Sequence, residues 1–423
     1  MMKKNLIRFF GFCVVGWLSL APMRAEPILK DADLVAICGD SITEQRLYSL
    51  YIQQYLMLCQ PQKNLMTTQF GWGGETAPRF LSRVDNDVLP FKPSVVTLCY
   101  GMNDGKYRPV DDPLTRRSLG AYRSSLTRTI EKLKQNDVRV IVVGSPGAVD
   151  PKNYKRPDSS AEQYNDTLAA FGATAREVAE AQGTLFADVH TVMNESMRKA
   201  KATLGEDYLI ARDGVHPNPN GHLAMAYAFL KALGCDGDIG TLTLDWKNGT
   251  ATGSTGHRVV SFQSGILKVE STRYPFCFSG SETDTGTRAM SAFLPFNEEL
   301  NRYRLVVKNA PARVKVKWGD AEKEFTASEL EAGVNLAGEF LENPFCQPFE
   351  EAGKIMARQQ GQEVNLIKDI LNSIRGWRKI MPETNASIDE LTKAIVARIE
   401  KGRAASRAAV KPVEHQITLI PAS

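Results

Sequence analysis

The sequence predicts an α/β fold: a doubly wound, five-stranded parallel sheet of flavodoxin-like element order, followed by a β-rich segment and a helical tail. Three observations predict it. From residue 33 to about 233, short β-branched apolar runs alternate with longer amphipathic stretches, which is how βαβ units are written. Each short run is apolar throughout rather than at alternate positions, as a strand covered on both faces requires. After Cys235, Gly, Ser and Thr become frequent and the alternation ends.

The five strands are expected at Leu34 to Cys38, Leu65 to Phe70, Val95 to Tyr100, Val138 to Val143 and Leu185 to Val189. Leu47, Leu50, Tyr51, Tyr55 and Leu58 recur at helical spacing, as do Leu119, Tyr122, Leu126, Ile130 and Leu133. A further helix is expected over Leu223 to Leu233. In such a domain ligands meet the carboxyl ends of the strands near the reversal of strand order, so the site should lie in those loops. Beyond it, Arg258 to Val269 and Tyr303 to Trp318 read as strands. Phe349, Ile355, Met356, Val364, Ile367, Ile370, Leu371 and Ile374 suggest two helices whose apolar stripes pack inward. The expected division is a signal peptide over 1–25, the α/β domain over 26–234, a β-rich segment over 235–342 and a helical tail over 343–423.

A chain of 423 residues with 43% hydrophobic and 24% charged residues is neither a disordered tail nor a small disulfide scaffold. The formal net charge of +4 comes entirely from the leader, where Lys3, Lys4, Arg8 and Arg24 meet no acidic residue. Without them the chain lacks the basic excess that phosphate contacts need, so a nucleic-acid partner is not expected. The leader itself runs from MMKKNLIR through the apolar FFGFCVVGWLSLAP to small residues ending at Ala25, the layout of a secretory signal. Its apolar core is short for a span, so the expectation is an exported protein, periplasmic or extracellular, with no stable membrane insertion after cleavage. Phe12 stands before Cys13 where lipidation would need a small residue. The six remaining cysteines show no metal-binding spacing, and Cys38 and Cys99 fall in strand-like runs where a thiol acts as a small hydrophobe. No metal is expected.

Four loops carry chemistry. Gly39-Asp40-Ser41-Ile42-Thr43 puts Ser41 at the turn after the first strand, with the amides and positive dipole end of the next helix directed at it. Gly71-Trp72-Gly73-Gly74-Glu75-Thr76 follows the second strand, and its glycines let the main chain approach a ligand. Gly101-Met102-Asn103-Asp104 follows the third; the Asn103 amide can donate to an oxyanion without bringing charge. Asp213-Gly214-Val215-His216-Pro217 supplies an imidazole able to take a serine proton, and a carboxylate three residues away to orient it. Read singly, each is equally a turn or a helix cap. His190, His222, His257 and His415 are expected to make structural hydrogen bonds.

Together and in this order, GDSIT, GWGGET, GMND and DGVHP resemble the four sequence blocks of the SGNH hydrolases, also called the GDSL esterase family, over Val35 to about Leu233. The resemblance implies Ser41 as nucleophile, His216 as base, Asp213 as its orienter, and an oxyanion hole of the Ser41 and Gly74 amides with Asn103. It implies ester hydrolysis through an acyl-enzyme with no cofactor. Gly73 stands where family members commonly have a small polar residue, which leaves Gly73 and Gly74 one position apart as the donor. The longer runs GDSITEQRLYSLY and GWGGETAPRF through GMNDGKYRP look like exported members that accompany polysaccharide breakdown.

The leading expectation is therefore an esterase that removes acetyl or another short acyl group from a small-molecule or polysaccharide ester. Trp72 would either stack on a sugar or close the core, and Glu75, Arg79, Arg46, Lys106, Tyr107 and Arg108 would bind hydroxyls or an acidic sugar, solvated surface being the alternative for the arginines. A lysophospholipase or thioesterase of the same family, and a non-catalytic glycan-binding protein keeping the fold, stay open. The β-rich segment is read either as a glycan-binding module or as an edge packed on the hydrolase, the second being favoured. The sequence does not give an oligomeric state.

Overall fold

The computed structural model describes residues 26–422, so the expected signal peptide and Cys13 lie outside the described residues. Strands β1 (Leu34–Gly39), β2 (Met66–Gly71), β3 (Val95–Cys99), β4 (Val140–Gly144) and β5 (Leu185–Ala187) form one parallel sheet in the order β2-β1-β3-β4-β5. The order reverses between β1 and β3, which opens a crevice at their carboxyl ends. Both faces are covered, as the unbroken apolar runs require. Val35, Ile37, Val95 and Val142 point into one core, and Ala36, Cys38, Val96 and Val143 into the other.

Six helices of the α/β domain matter here: α1 (Ser41–Glu44), α2 (Tyr48–Gln54), α3 (Pro113–Gln135), α4 (Ala161–Ala181), α5 (Val189–Leu204) and α6 (Pro219–Ala232). Local chemistry explains where expectation and structure part. The fourth strand begins two residues later than expected because Asp137 turns the chain at φ 61° and Val138 still bonds back to Leu133. The fifth ends at Ala187 because the Asp188 side chain caps α5 by accepting from the Thr191 amide. Pro219 opens α6 ahead of the expected start, its fixed φ suiting the first turn. Cys38 and Cys99 are buried, and burial pushes both thiols up.

Beyond α6 the chain builds two further sheets, one of four strands and one of five. The first orders Val334–Asn335, Arg302–Lys308, Asp238–Asp245 and Thr250–Gly253; the second orders Ala321–Thr326, Arg313–Trp318, Val413–Pro421, Ile266–Ser271 and His257–Gln263. The last strand lies in the middle of the second sheet, so the tail is not helical to its end. Helix α7 (Cys346–Asn365) continues through a π-helical stretch (Leu366–Leu371) into Asn372–Ile380, its one proline, Pro348, lying in the first turn, where it breaks no hydrogen bond of the rod. All eight apolar residues expected to mark two helices fall on this one rod, and α8 (Asn385–Ala409) is the second.

These additions dock on α2 and on the π-helical turn (Tyr55–Cys59) that continues it. Tyr55 donates to the Leu300 carbonyl at 2.7 Å, Arg273 to the Cys59 carbonyl at 2.8 Å, and the Tyr274 amide to Leu58 at 2.8 Å. Between α2 and α7 runs a buried relay: Ser49 donates to Gln360 (2.8 Å), Gln360 to Gln53 (2.7 Å), Gln53 to Gln359 (3.0 Å) and Gln359 to Glu363 (2.8 Å). A partnered amide relay fixes the register of two helices, since a slip would strand buried polar atoms.

Glu363 ends this relay near Arg403, Thr68 and Gln69. Burial pushes its carboxyl up to about 7 against the opposing pull of Gln359 and Arg403. A raised value means the folded chain holds the proton more tightly, so this contribution is full below the ordinary carboxylate range and is lost as pH rises through about 7. Glu363→Gln should therefore flatten the decline of Tm between about pH 5 and about pH 8. Parallel Tm profiles for parent and variant would refute that assignment.

Candidate active site

Ser41 sits where β1 gives way to α1. Asp40 caps the turn, its carboxylate accepting from the Ile42 amide at 2.9 Å. Burial, opposed by that bond, pushes the Asp40 carboxyl up to about 7. Helix α1 is a single turn of 4 residues, and α2 starts only at Tyr48. The expected contribution of a long helix dipole is thus corrected to that of a few local amides. The Ser41 hydroxyl meets His216 Nε2 at 2.9 Å, and His216 Nδ1 meets Asp213 Oδ2 at 2.7 Å.

The loop that carries His216 folds around its own carboxylate. Asp213 Oδ1 accepts from the amides of His216 (2.7 Å) and Val215 (3.0 Å), leaving Oδ2 for the ring. Burial works against the charged form, but the bonds from His216 and the two amides outweigh it and hold the carboxyl down at about 2. Gly214 has φ 79°, and a Cβ there would stand 2.4 Å from the Tyr154 main chain, so only glycine fits. From beneath, buried Asp150 bonds the Ile210 amide at 2.8 Å and pairs with Lys201 at 3.1 Å, while its own amide donates to the Gly214 carbonyl at 2.8 Å.

The second and third loops are tied to each other. Trp72 donates its amide to the Gly39 carbonyl at 3.0 Å, which sets the glycine loop beside the Ser41 turn. Gly74 takes the left-handed φ of 66° with open space where a Cβ would be, whereas a Cβ on Gly73 would meet Glu44 at 2.9 Å. Asn103 donates from Nδ2 to the Glu75 carbonyl at 3.1 Å and accepts from the Tyr107 hydroxyl at 3.3 Å, which fixes its amide. Asp104 accepts from the amides of Ala77 (3.0 Å) and Gly101 (3.1 Å), and burial pushes its carboxyl up to about 7.

Several expected sugar contacts have other employment. Glu75 is fully buried and bonds Arg83 through both carboxylate oxygens at 2.7 and 2.6 Å, with Tyr100 at 3.0 Å, so its carboxylate is corrected from substrate ligand to scaffold. The Trp72 ring already lies beside Arg83 (5.3 Å), Arg79 (5.9 Å) and Lys368 (4.8 Å). Arg46, at φ 61°, directs its guanidinium toward Gly361 of α7. Lys106 is exposed, Tyr107 is half-buried under Arg156, and Arg108 pairs with Asp112 at 3.1 Å. His222 is neutral and structural: burial drives it down to about 3, and it accepts from the Tyr48 amide and donates to Gln45. His190 bonds the Gly147 carbonyl and Asn194, His257 bonds Ser271 and the Ile239 carbonyl, and His415 bonds Ser271 and Trp318.

A cleft of about 500 Å³ opens over Ser41, Asp213 and His216, walled also by Glu44, Gln45 and Arg212. Those last three were not anticipated, although Glu44 lies one helical turn from Ser41 and the i, i+3 rule would place it there. Lys368, which pairs with Glu44, reaches the site from the tail and left no local signal. Among the described residues no group of three His, Cys, Asp or Glu is placed to hold a metal, and no helix is long and apolar enough to cross a membrane.

A parallel α/β sheet with these loops at its strand-order reversal is the frame of a carboxylic ester hydrolase. Residues 37–224 match the model of the GDSL-like Lipase/Acylhydrolase family. An acetylxylan esterase of Geobacillus stearothermophilus is 25% identical over 220 residues, spanning 49% of this chain and 94% of that protein. A crystal structure of that organism's acetylxylan esterase covers 48% of this chain and 95% of its own at 24% identity, with a TM-score of 0.40. A gut microbial diltiazem-metabolizing enzyme covers 93% of this chain and 98% of its own at 20% identity and a TM-score of 0.73, so it shares the fold through the C-terminal segments.

Gly214→Ala should lose about 1–3 kcal/mol of stability from backbone strain. It should also lose at least about tenfold in ester hydrolysis, because the Asp213 to His216 turn is displaced. Urea unfolding and nitrophenyl acetate hydrolysis measure the two, and an alanine variant equal to the parent in both would contradict the role given to this turn.

Proposed function

We propose that the protein is an exported serine esterase that removes acetyl or another short acyl group from a carbohydrate. The observation that carries this reading is the unbroken hydrogen-bond chain Asp213, His216, Ser41 at the floor of an open cleft. Export is supported by the leader pattern, and the division into 26–234, 235–342 and 343–423 by the change of texture along the chain.

In this mechanism His216 Nε2 takes the Ser41 proton as Oγ attacks the ester carbonyl, and Asp213 balances the imidazolium that forms. The Ser41 and Gly74 amides and Asn103 Nδ2 receive the developing oxyanion. His216 returns the proton to the departing sugar hydroxyl, leaving an acyl-enzyme. Water, deprotonated by the same ring, then releases the acid and restores Ser41. Glu44, Gln45, Arg212 and Asn218, which stand in the cleft wall among Leu47, Pro217 and Pro219, favour a short acyl group over a long alkyl chain, which would have to desolvate them.

Ser41→Ala should reduce hydrolysis of nitrophenyl acetate by about 10³-fold or more with Tm unchanged. Retention of parental activity would end the proposal. Across a series of nitrophenyl esters, the parent enzyme should be fastest at acetate; a steady rise through octanoate would instead mark a lipid-directed enzyme.

A further inference from the structure

A second cavity, of about 800 Å³, lies between α2, α7 and the loop that follows Cys277. Leu50, Tyr51 and Phe349 form part of its apolar wall, and Arg288, Gln347 and Lys354 belong to its polar wall. Tyr51 and Phe349 both pack on Phe276, with ring centroids 6.4 and 5.0 Å apart, so the partly exposed Tyr51 ring is braced from behind by buried phenylalanines. The Tyr51 hydroxyl has no hydrogen-bond partner among the described residues.

The cavity shares no lining residue with the cleft over Ser41 but lies about one helical turn from it. Leu47 lines that cleft, and Leu50 and Tyr51, one turn further along, line the cavity. Three to four residues of helix amount to about 5 Å. On the opposite side the Asn220 amide, one residue past the cleft wall at Pro219, donates to the Thr285 carbonyl at 3.0 Å, so the loop that walls the cavity is anchored at the rim of the cleft.

An ester has two halves. The polar cleft suits a short acyl half, so the bulk of the substrate is its alcohol half, which must leave the cleft along a wall able to hold it. A partly exposed tyrosine ring beside Leu50, faced by charged and amide groups, matches a pyranose ring, whose apolar face packs on the ring while its hydroxyl edge bonds. The rim cations are matched by carboxylates, Arg288 by Glu342 and Lys354 by Glu350 at 2.6 Å, so the cavity offers paired donors and acceptors rather than a net charge. That pattern favours neutral sugars over acidic ones.

We infer that this cavity is a distal subsite for the neutral sugar units beyond the acylated one, built by segments outside the α/β domain. The inference rests on the carbohydrate-esterase reading above. Sugar held there contributes binding remote from the reacting carbonyl, which raises kcat/KM for long substrates and leaves small esters unaffected.

The test compares kcat/KM on acetylated xylose, xylobiose and xylohexaose with that on nitrophenyl acetate, for the full-length parent, Tyr51→Phe, and the double variant Gln347→Ala/Lys354→Ala. The parent should gain at least about tenfold from xylose to xylohexaose, and the double variant should lose most of that gain at constant nitrophenyl acetate activity. Tyr51→Phe, which removes only the unpartnered hydroxyl, should lose part of it. Equal rates on all three sugars, or a gain that survives in both variants, would overturn the subsite and leave the esterase reading intact. Hydrolysis of nitrophenyl acetate with none of any acetylated sugar would overturn both.

Discussion

Each loop at the carboxyl edge of the large sheet is pinned by a buried carboxylate. Asp40 holds the Ser41 turn, Asp104 joins the third loop to the start of the segment after the second, and Asp150 lies beneath the His216 loop. Glu75, locked on Arg83, fixes the carbonyl to which Asn103 is bonded. Buried carboxylates are costly unless their oxygens are satisfied, and here main-chain amides or a guanidinium satisfy them. The half-exposed groups above, Ser41, His216 and Asp213, are thus held by anchors that solvent does not reach.

The segments beyond α6 extend this support sideways. The amide relay between α2 and α7 sets the height of the tail against the α/β domain, and at that height Lys368 meets both Glu44 and Trp72. Because Gly361 leaves room for the Arg46 guanidinium, a residue beside the cleft is packed from the tail side. The segments beyond α6 therefore brace a site whose lining residues all come from the α/β domain.

The sheet and its four loops could be read from the sequence because their signals are local. An apolar run covered on both faces, a glycine that must turn, and an aspartate three residues before a histidine each lie within a few positions. Glu75 was misassigned for the same reason: its partner Arg83 is eight residues on, past a helical turn, and nothing nearby in the sequence says that the pair is buried. Helix α5 escaped notice because Val189 continues the apolar run of β5 and only the Asp188 cap separates them. Lys368, Asp150 and the relay glutamines depend on contacts between residues far apart in sequence, for which hydrophobic periodicity has no reading.

Val413–Pro421 pairs on one side with Arg313–Trp318 and on the other with Ile266–Ser271. Until those nine residues leave the ribosome, the strands that flank them have exposed, unpaired edges, which are prone to wrong association. At about 5–20 residues per second, the α/β domain has many seconds to form before the C-terminal five-stranded sheet can close. Assembly thus has a built-in order: the α/β domain can condense early, while the sheet that braces it waits for the strand at its centre.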